Sequence, residues 1–92
     1  MAAAMNNVTL TPQGGWTALT SANITSFLRL SKFPSHVPVF LTVAASPPTG
    51  TPTGGFRWAC DHTFFQGAIT GNVYARIQNN SNADVHVSVF AN

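Results

Sequence analysis

Asp61 and Asp84 are the only carboxylate side chains in this 92-residue chain, Cys60 its only thiol, and His36, His62 and His86 its only imidazoles. Acid–base catalysis by paired carboxylates needs two carboxyl groups flanking one bond. A loop and a strand separate residues 61 and 84, and nothing in the pattern brings them together. The tripeptide Cys60-Asp61-His62 has the residue types of an activated thiol or a metal corner. Zinc sites repeat their Cys/His spacing, and here the pair occurs once. A nucleophilic thiol needs a His close in space, whereas neighbouring side chains on a strand point to opposite faces. The tripeptide therefore reads as a buried Cys60 beside an Asp-containing turn, since free cysteines are among the most buried residue types. Gly54-Gly55 has neither the lysine nor the following helix of a phosphate-binding loop. These residues predict no enzyme, no cofactor and no metal.

The aromatics offer binding instead of turnover. Phe56, Trp58, Phe64 and Phe65 gather around Arg57 and His62. Trp58 with Arg57 beside it has the chemistry to stack on a sugar ring or a base. Phe56 and Trp58, two residues apart, share a strand face, which is how strands fill a core. Phe64 and Phe65 point opposite ways, so an isolated sheet sandwich exposes one of them, and both are candidate interaction residues. The second candidate is the run Ser46-Pro-Pro-Thr-Gly-Thr-Pro-Thr-Gly-Gly55, which holds no large apolar side chain. It reads as a solvated loop or as a contact loop through Pro47, Pro48, Thr49, Gly50, Thr51 and Pro52.

The elements that must position these residues have a period of two. Residues 84–90 alternate, with Val85, Val87 and Val89 on one face and His86, Ser88 and Phe90 on the other. Residues 72–78 set Val73, Ala75 and Ile77 against Tyr74 and Arg76. The Asn/Ser-rich link between these segments predicts a C-terminal β-hairpin. Residues 24–31 alternate Ile24, Ser26, Leu28 and Leu30 with Thr25, Phe27 and Arg29. Residues 37–45 are apolar on both faces apart from Thr42, the pattern of a strand buried on both sides, with Pro38 at its start or at a sheet edge. Shorter strands are predicted at 8–11, 16–19, 56–60 and 63–66. Helical spacing is sustained nowhere, and Glu is absent. The fold class is all-β: a small antiparallel β-sandwich or barrel of about seven or eight short strands. Residues 1–7 are assigned to a flexible N-terminal arm and 8–92 to a single domain.

Six charged side chains, 7% of the chain, must serve its whole surface; ordinary domains carry roughly 25%. A surface so thin in charge predicts contact with copies of the chain or with a larger partner. Four cations cannot form the dense stripe that nucleic acid requires, despite a pI of about 9.3. One cysteine forbids an intramolecular disulfide. The first residues lack the cationic and apolar regions of a signal peptide, and no stretch approaches the roughly 20 apolar residues of a membrane span. Synthesis in a cytoplasm, with no nucleic-acid or membrane partner, is expected.

The succession of features resembles small all-β bacteriophage virion proteins of the head decoration or cement type. It runs from Gln13-Gly-Gly-Trp-Thr17 through Val37-Pro-Val-Phe-Leu-Thr-Val43 and the Pro-rich loop to Gly71-Asn-Val-Tyr-Ala-Arg-Ile77 and the alternating valines. The likeness spans residues 8–91 and is one of pattern and short phrases. It implies a non-enzymatic virion component made in the host bacterial cytoplasm. Such a component is present in many copies, most often as a homotrimer, and is docked on the major capsid protein or another virion protein. The alternative is a tail or baseplate component that binds a host-surface carbohydrate through exposed aromatics.

Overall fold

The structure is a computed structural model that describes residues 4–12, 15–21, 23–33, 37–46, 48, 56–77 and 84–92. The described residues form eight strands: β1 (Ala4–Leu10), β2 (Thr17–Ala18), β3 (Phe27–Phe33), β4 (Val39–Ala44), β5 (Phe56–Trp58), β6 (His62–Gln66), β7 (Asn72–Ile77) and β8 (Val85–Ala91). Two four-stranded antiparallel sheets result, sheet A in the order β1-β8-β3-β6 and sheet B in the order β2-β7-β4-β5.

This order has a simple generator. The chain pairs first strand with last, second with seventh, third with sixth and fourth with fifth. A long antiparallel ribbon of this kind, rolled so that successive strand pairs fall in alternate sheets, is the eight-stranded jelly roll. The lateral pairings β3–β8 and β4–β7 then close each sheet.

Alternation of side chains decides which face is buried. Along β3, Leu28 and Leu30 point inward while Arg29, Ser31 and Phe33 point out. Along β8, Val85, Val87 and Val89 are buried and His86 and Ser88 are exposed. Leu41, Trp58, Val73 and Ile77 from sheet B meet these residues to complete one core. Pro38, which has no N–H to donate, stands immediately before β4, where the loss of a ladder bond costs nothing. Near one end of the sandwich the isolated bridge Ile24–Ile69 sits between Gly67 and Gly71, whose positive φ values turn the chain sharply on either side.

Three expectations need correction. β7 and β8 do not form a hairpin with each other: they lie in different sheets. Two strands that each bury a full apolar face can do so from opposite sides of the core, and alternation alone does not distinguish that from a local pair. The first strand begins at Ala4 instead of residue 8, so residues 4–7, assigned to an arm, pair with β8 from Ser88 to Ala91. The strand expected over 37–45 buries Val39 and Leu41 fully, but Phe40 and Thr42 only partly, so it is not buried on both sides.

Candidate interaction surface

The outer face of sheet A is built in cross-strand rows. Met5 of β1 lies opposite Phe90 of β8, Phe90 opposite Arg29 of β3, and Arg29 opposite Phe64 of β6. These four side chains cross the whole width of the sheet. Phe27, at the start of β3, joins the row to itself: its ring is 5.3 Å from Phe90 and 6.3 Å from Phe64, the latter pair stacked. The Arg29 guanidinium carbon lies 5.8 Å from the centre of the Phe64 ring, within cation–π range.

The second row is polar: Asn7, Ser88, Ser31 and His62. There the Ser88 hydroxyl donates to Asn7 Oδ1 at 3.1 Å. A third row runs Thr9, His86 and Phe33, with Thr9 Oγ1 hydrogen-bonded to His86 Nδ1 at 3.2 Å. Met5 and Phe33 are each 74% exposed and Phe64 51%. An aromatic band crossing a sheet face, with one arginine embedded in it, has the chemistry of a contact surface.

Phe65, the other member of the predicted pair, points inward. Its ring meets Phe56 edge-on at 5.8 Å, and the two join the free edges of the sheets. Behind them lies a cavity of about 280 Å³ lined by apolar side chains, among them Leu28, Leu41, Val43 and Val73. Phe64 and Phe65 thus have separate surroundings: one is a surface aromatic, the other a half-buried wall.

The remaining predicted positions scatter. Trp58, weighed as a stacking platform, is 1% exposed and belongs to the core, so it presents no face to a sugar. Cys60, expected to be buried, is exposed, because it lies in the turn beyond β5 and not on a core-facing strand position. The exposed side chains of Asp61 and His62 approach to 2.9 Å between Oδ1 and Nδ1. Among the described residues no three His, Cys, Asp or Glu side chains gather as metal ligands. In the Pro-rich loop Pro48 is half-buried, and Pro47, Thr49, Gly50, Thr51 and Pro52 lie outside the described residues.

Sequence reasoning missed Met5, Phe27, Phe33 and Phe90. The signal was present: alternation put Phe27 with Arg29, and Phe90 with His86 and Ser88, on faces that were otherwise polar. Large apolar residues on the outward phase of a strand mark a covered or contacting face.

Sheet A also holds a buried cation. Lys32 follows Leu28 and Leu30 on the inward phase of β3, and is 5% exposed. Its Nζ lies 5.3 Å from the centre of the Trp58 ring on sheet B. Burial pulls its pKa below the ordinary value of 10.5, against opposing pulls from Cys60 and Asp61. The Lys32 N–H donates to the Asp61 carbonyl at 2.9 Å, which ties the β5–β6 turn to the end of β3.

Fold and surface together define a jelly-roll sandwich with one aromatic outer face. Compared with family models, with curated proteins and with solved structures, the chain matched none.

Proposed function

We propose that this chain is a non-enzymatic structural component of a bacteriophage particle, carried in many copies as an oligomer on the capsid, with the outer face of sheet A as its principal contact. The observation that carries the reading is the row Met5–Phe90–Arg29–Phe64, an apolar band on the solvent side of a sheet in a chain with only six charges. Apolar area covered on assembly supplies the binding free energy. Repetition adds to it, because each attached copy raises the effective concentration of its next contact. The virion setting rests on the sequence resemblance, and jelly rolls recur in viral capsid domains, a support by fold analogy.

One observation favours a second reading, a tail or baseplate component that binds host carbohydrate. Phe64 is half-exposed with Arg29 beside it, an arrangement able to stack on a sugar, and jelly rolls also serve as lectin domains. The burial of Trp58 removes the stronger platform from that reading and leaves assembly ahead.

The test is quantitative mass spectrometry of purified particles of the phage that encodes the chain. Many copies per particle, with labelling on the head by electron microscopy, is the expected result. Absence from the particle contradicts the reading, and a few copies confined to the tail favour the carbohydrate-binding one.

A further inference from the structure

We infer that β1 and β6 are the two halves of a head-to-tail joint between copies of this chain, β6 of one copy pairing antiparallel with β1 of the next. The inference rests on the proposed multi-copy assembly and names the surface that performs it.

The two sheets leave four outer strands, and they are not equivalent. β2 has two residues; β5 has three, with Arg57 in the middle. Short or charged edges are how sandwiches discourage pairing. The two outer strands of sheet A, among the described residues, carry none of these devices. β1 reads Ala-Met-Asn-Asn-Val-Thr-Leu and β6 reads His-Thr-Phe-Phe-Gln, without Pro, Gly, Lys, Arg, Asp or Glu in either. A natural edge of five or seven residues with none of these devices is a pairing site unless something covers it.

Direction and register then select the partner. Strands alternate in direction across sheet A, so β6 runs opposite to β1, and a second copy in the same orientation offers its β1 antiparallel to β6. Continuing the existing rows straight across the joint sets Phe64 opposite Met5 of the next copy, His62 opposite Asn7, and Thr63 opposite Asn6. Apolar meets apolar and polar meets polar in every one of these pairs. The aromatic row ends at each edge in a large exposed side chain, Met5 on one side and Phe64 on the other. A thioether against an aromatic ring is itself a favourable contact.

The competing arrangements match less well. Sliding the register by two residues sets Phe64 against Asn7 and Gln66 against Met5. A twofold β6–β6 pair sets Thr63 against Phe65 and leaves β1 bare; a twofold β1–β1 pair centred on Asn7 sets Met5 against Thr9 and leaves β6 bare. The head-to-tail joint uses both edges of every copy. A joint of this type closes into a ring when the rotation permits and otherwise grows as a filament. Neither strand carries an Asp, Glu, Lys or Arg, so the joint is insensitive to salt.

The experiment uses the full chain with Cys60→Ser, into which Met5→Cys and Phe64→Cys are placed separately, and a short bismaleimide cross-linker. Both positions are at least half-exposed, and unchanged circular dichroism confirms folding. The two chains mixed should cross-link to each other at least tenfold more than either does alone, and a chain with both cysteines should give a ladder of multimers. The pair Asn7→Cys and His62→Cys, one row along, repeats the test should the first pair disturb the fold. Self-linking of Phe64→Cys alone overturns the joint in favour of a twofold. No cross-link in the mixture, while the wild type sediments as an oligomer, overturns the joint but leaves the assembly reading standing. A wild type monomeric at millimolar concentration overturns the joint and the oligomer, and a monomer whose Met5→Cys and Phe64→Cys link only to capsid protein on purified particles assigns these edges to a capsid strand and overturns self-pairing.

Discussion

The Lys32 ammonium nitrogen lies 5.3 Å above the Trp58 ring, so a cation from sheet A rests on an indole from sheet B inside the sandwich. Lys32 takes the inward phase that apolar Leu28 and Leu30 take before it. Next to the β5–β6 turn, the neighbouring Cys60 and Asp61 partly offset the cost of burial. The indole face contributes attraction that a saturated side chain would not, about 2 kcal/mol for a desolvated pair.

The lowered Lys32 pKa fixes the sign of a pH effect. Below its folded pKa the buried ammonium opposes folding, because unfolding returns it to water. Between that pKa and 10.5 the unfolded chain holds a proton that the folded chain has released, so this group's contribution to stability rises with pH. Denaturant unfolding of wild type and Lys32→Met across alkaline pH should show the wild type gaining on the variant. A stability difference that stays flat or moves the other way contradicts the assignment.

Val87 is fully buried and Ser88, its neighbour on the opposite face, is exposed. Val87→Asp buries a carboxylate among valines and leucines and should cost several kcal/mol, against a total near 5 kcal/mol for a small domain. Ser88→Asp should change the folding free energy of the monomer by less than about 1 kcal/mol. Urea midpoints compare the two. Equal losses would mean that the outer face is covered even in the isolated chain.

Gly71 has φ +104°, and a Cβ there would come within 3.2 Å of Val43 Cγ1 and 3.3 Å of the Ala44 carbonyl oxygen. Gly71→Ala should therefore destabilise by about 1–3 kcal/mol, roughly 4–8 °C of melting temperature per kcal/mol. Gly15, at φ +69° with open space around it, should tolerate alanine better. Melting by circular dichroism orders the two; a milder loss at Gly71 would contradict the close packing of the β6–β7 turn on β4.

The strand faces were legible because alternation is local: Leu28 against Arg29, Val87 against Ser88 and Phe64 against Phe65 follow from a period of two. Strand partners were not. β7 and β8 each carry a complete apolar face, and only the ribbon pairing of first with last and second with seventh sends them to different sheets. Residues 4–7 show little apolar pattern and become strand through backbone pairing with β8, a signal that lies in the partner. Cys60 escaped because residue-type burial describes an average, whereas its exposure follows from its place just past the end of β5. The aromatic row needed register: Phe90, Arg29 and Phe64 are far apart in sequence, and only the ladders β8–β3 and β3–β6 set them side by side.

The proposed contact through sheet A also predicts an effect of charge. Phe33→Asp and Phe64→Asp alter exposed rings and should leave the monomer folded, while placing carboxylates on the outer face of sheet A. Each should lower occupancy on purified particles at least tenfold, read as copy number by mass spectrometry. An equivalent substitution at exposed Ala59, outside sheet A, should leave occupancy unchanged. Equal loss at all three sites would show a general effect of charge and remove the outer face of sheet A from the account.

The most direct measurement is sedimentation equilibrium of the purified wild-type chain and of Met5→Ser/Phe64→Ser, at low and high salt. The wild type should sediment as a stable oligomer at micromolar concentration, a trimer by expectation, and keep its mass as salt rises. The double variant should dissociate while its circular dichroism stays that of a folded β protein. A wild-type chain that remains a well-behaved monomer at millimolar concentration contradicts the claim that this sandwich exists to assemble with copies of itself.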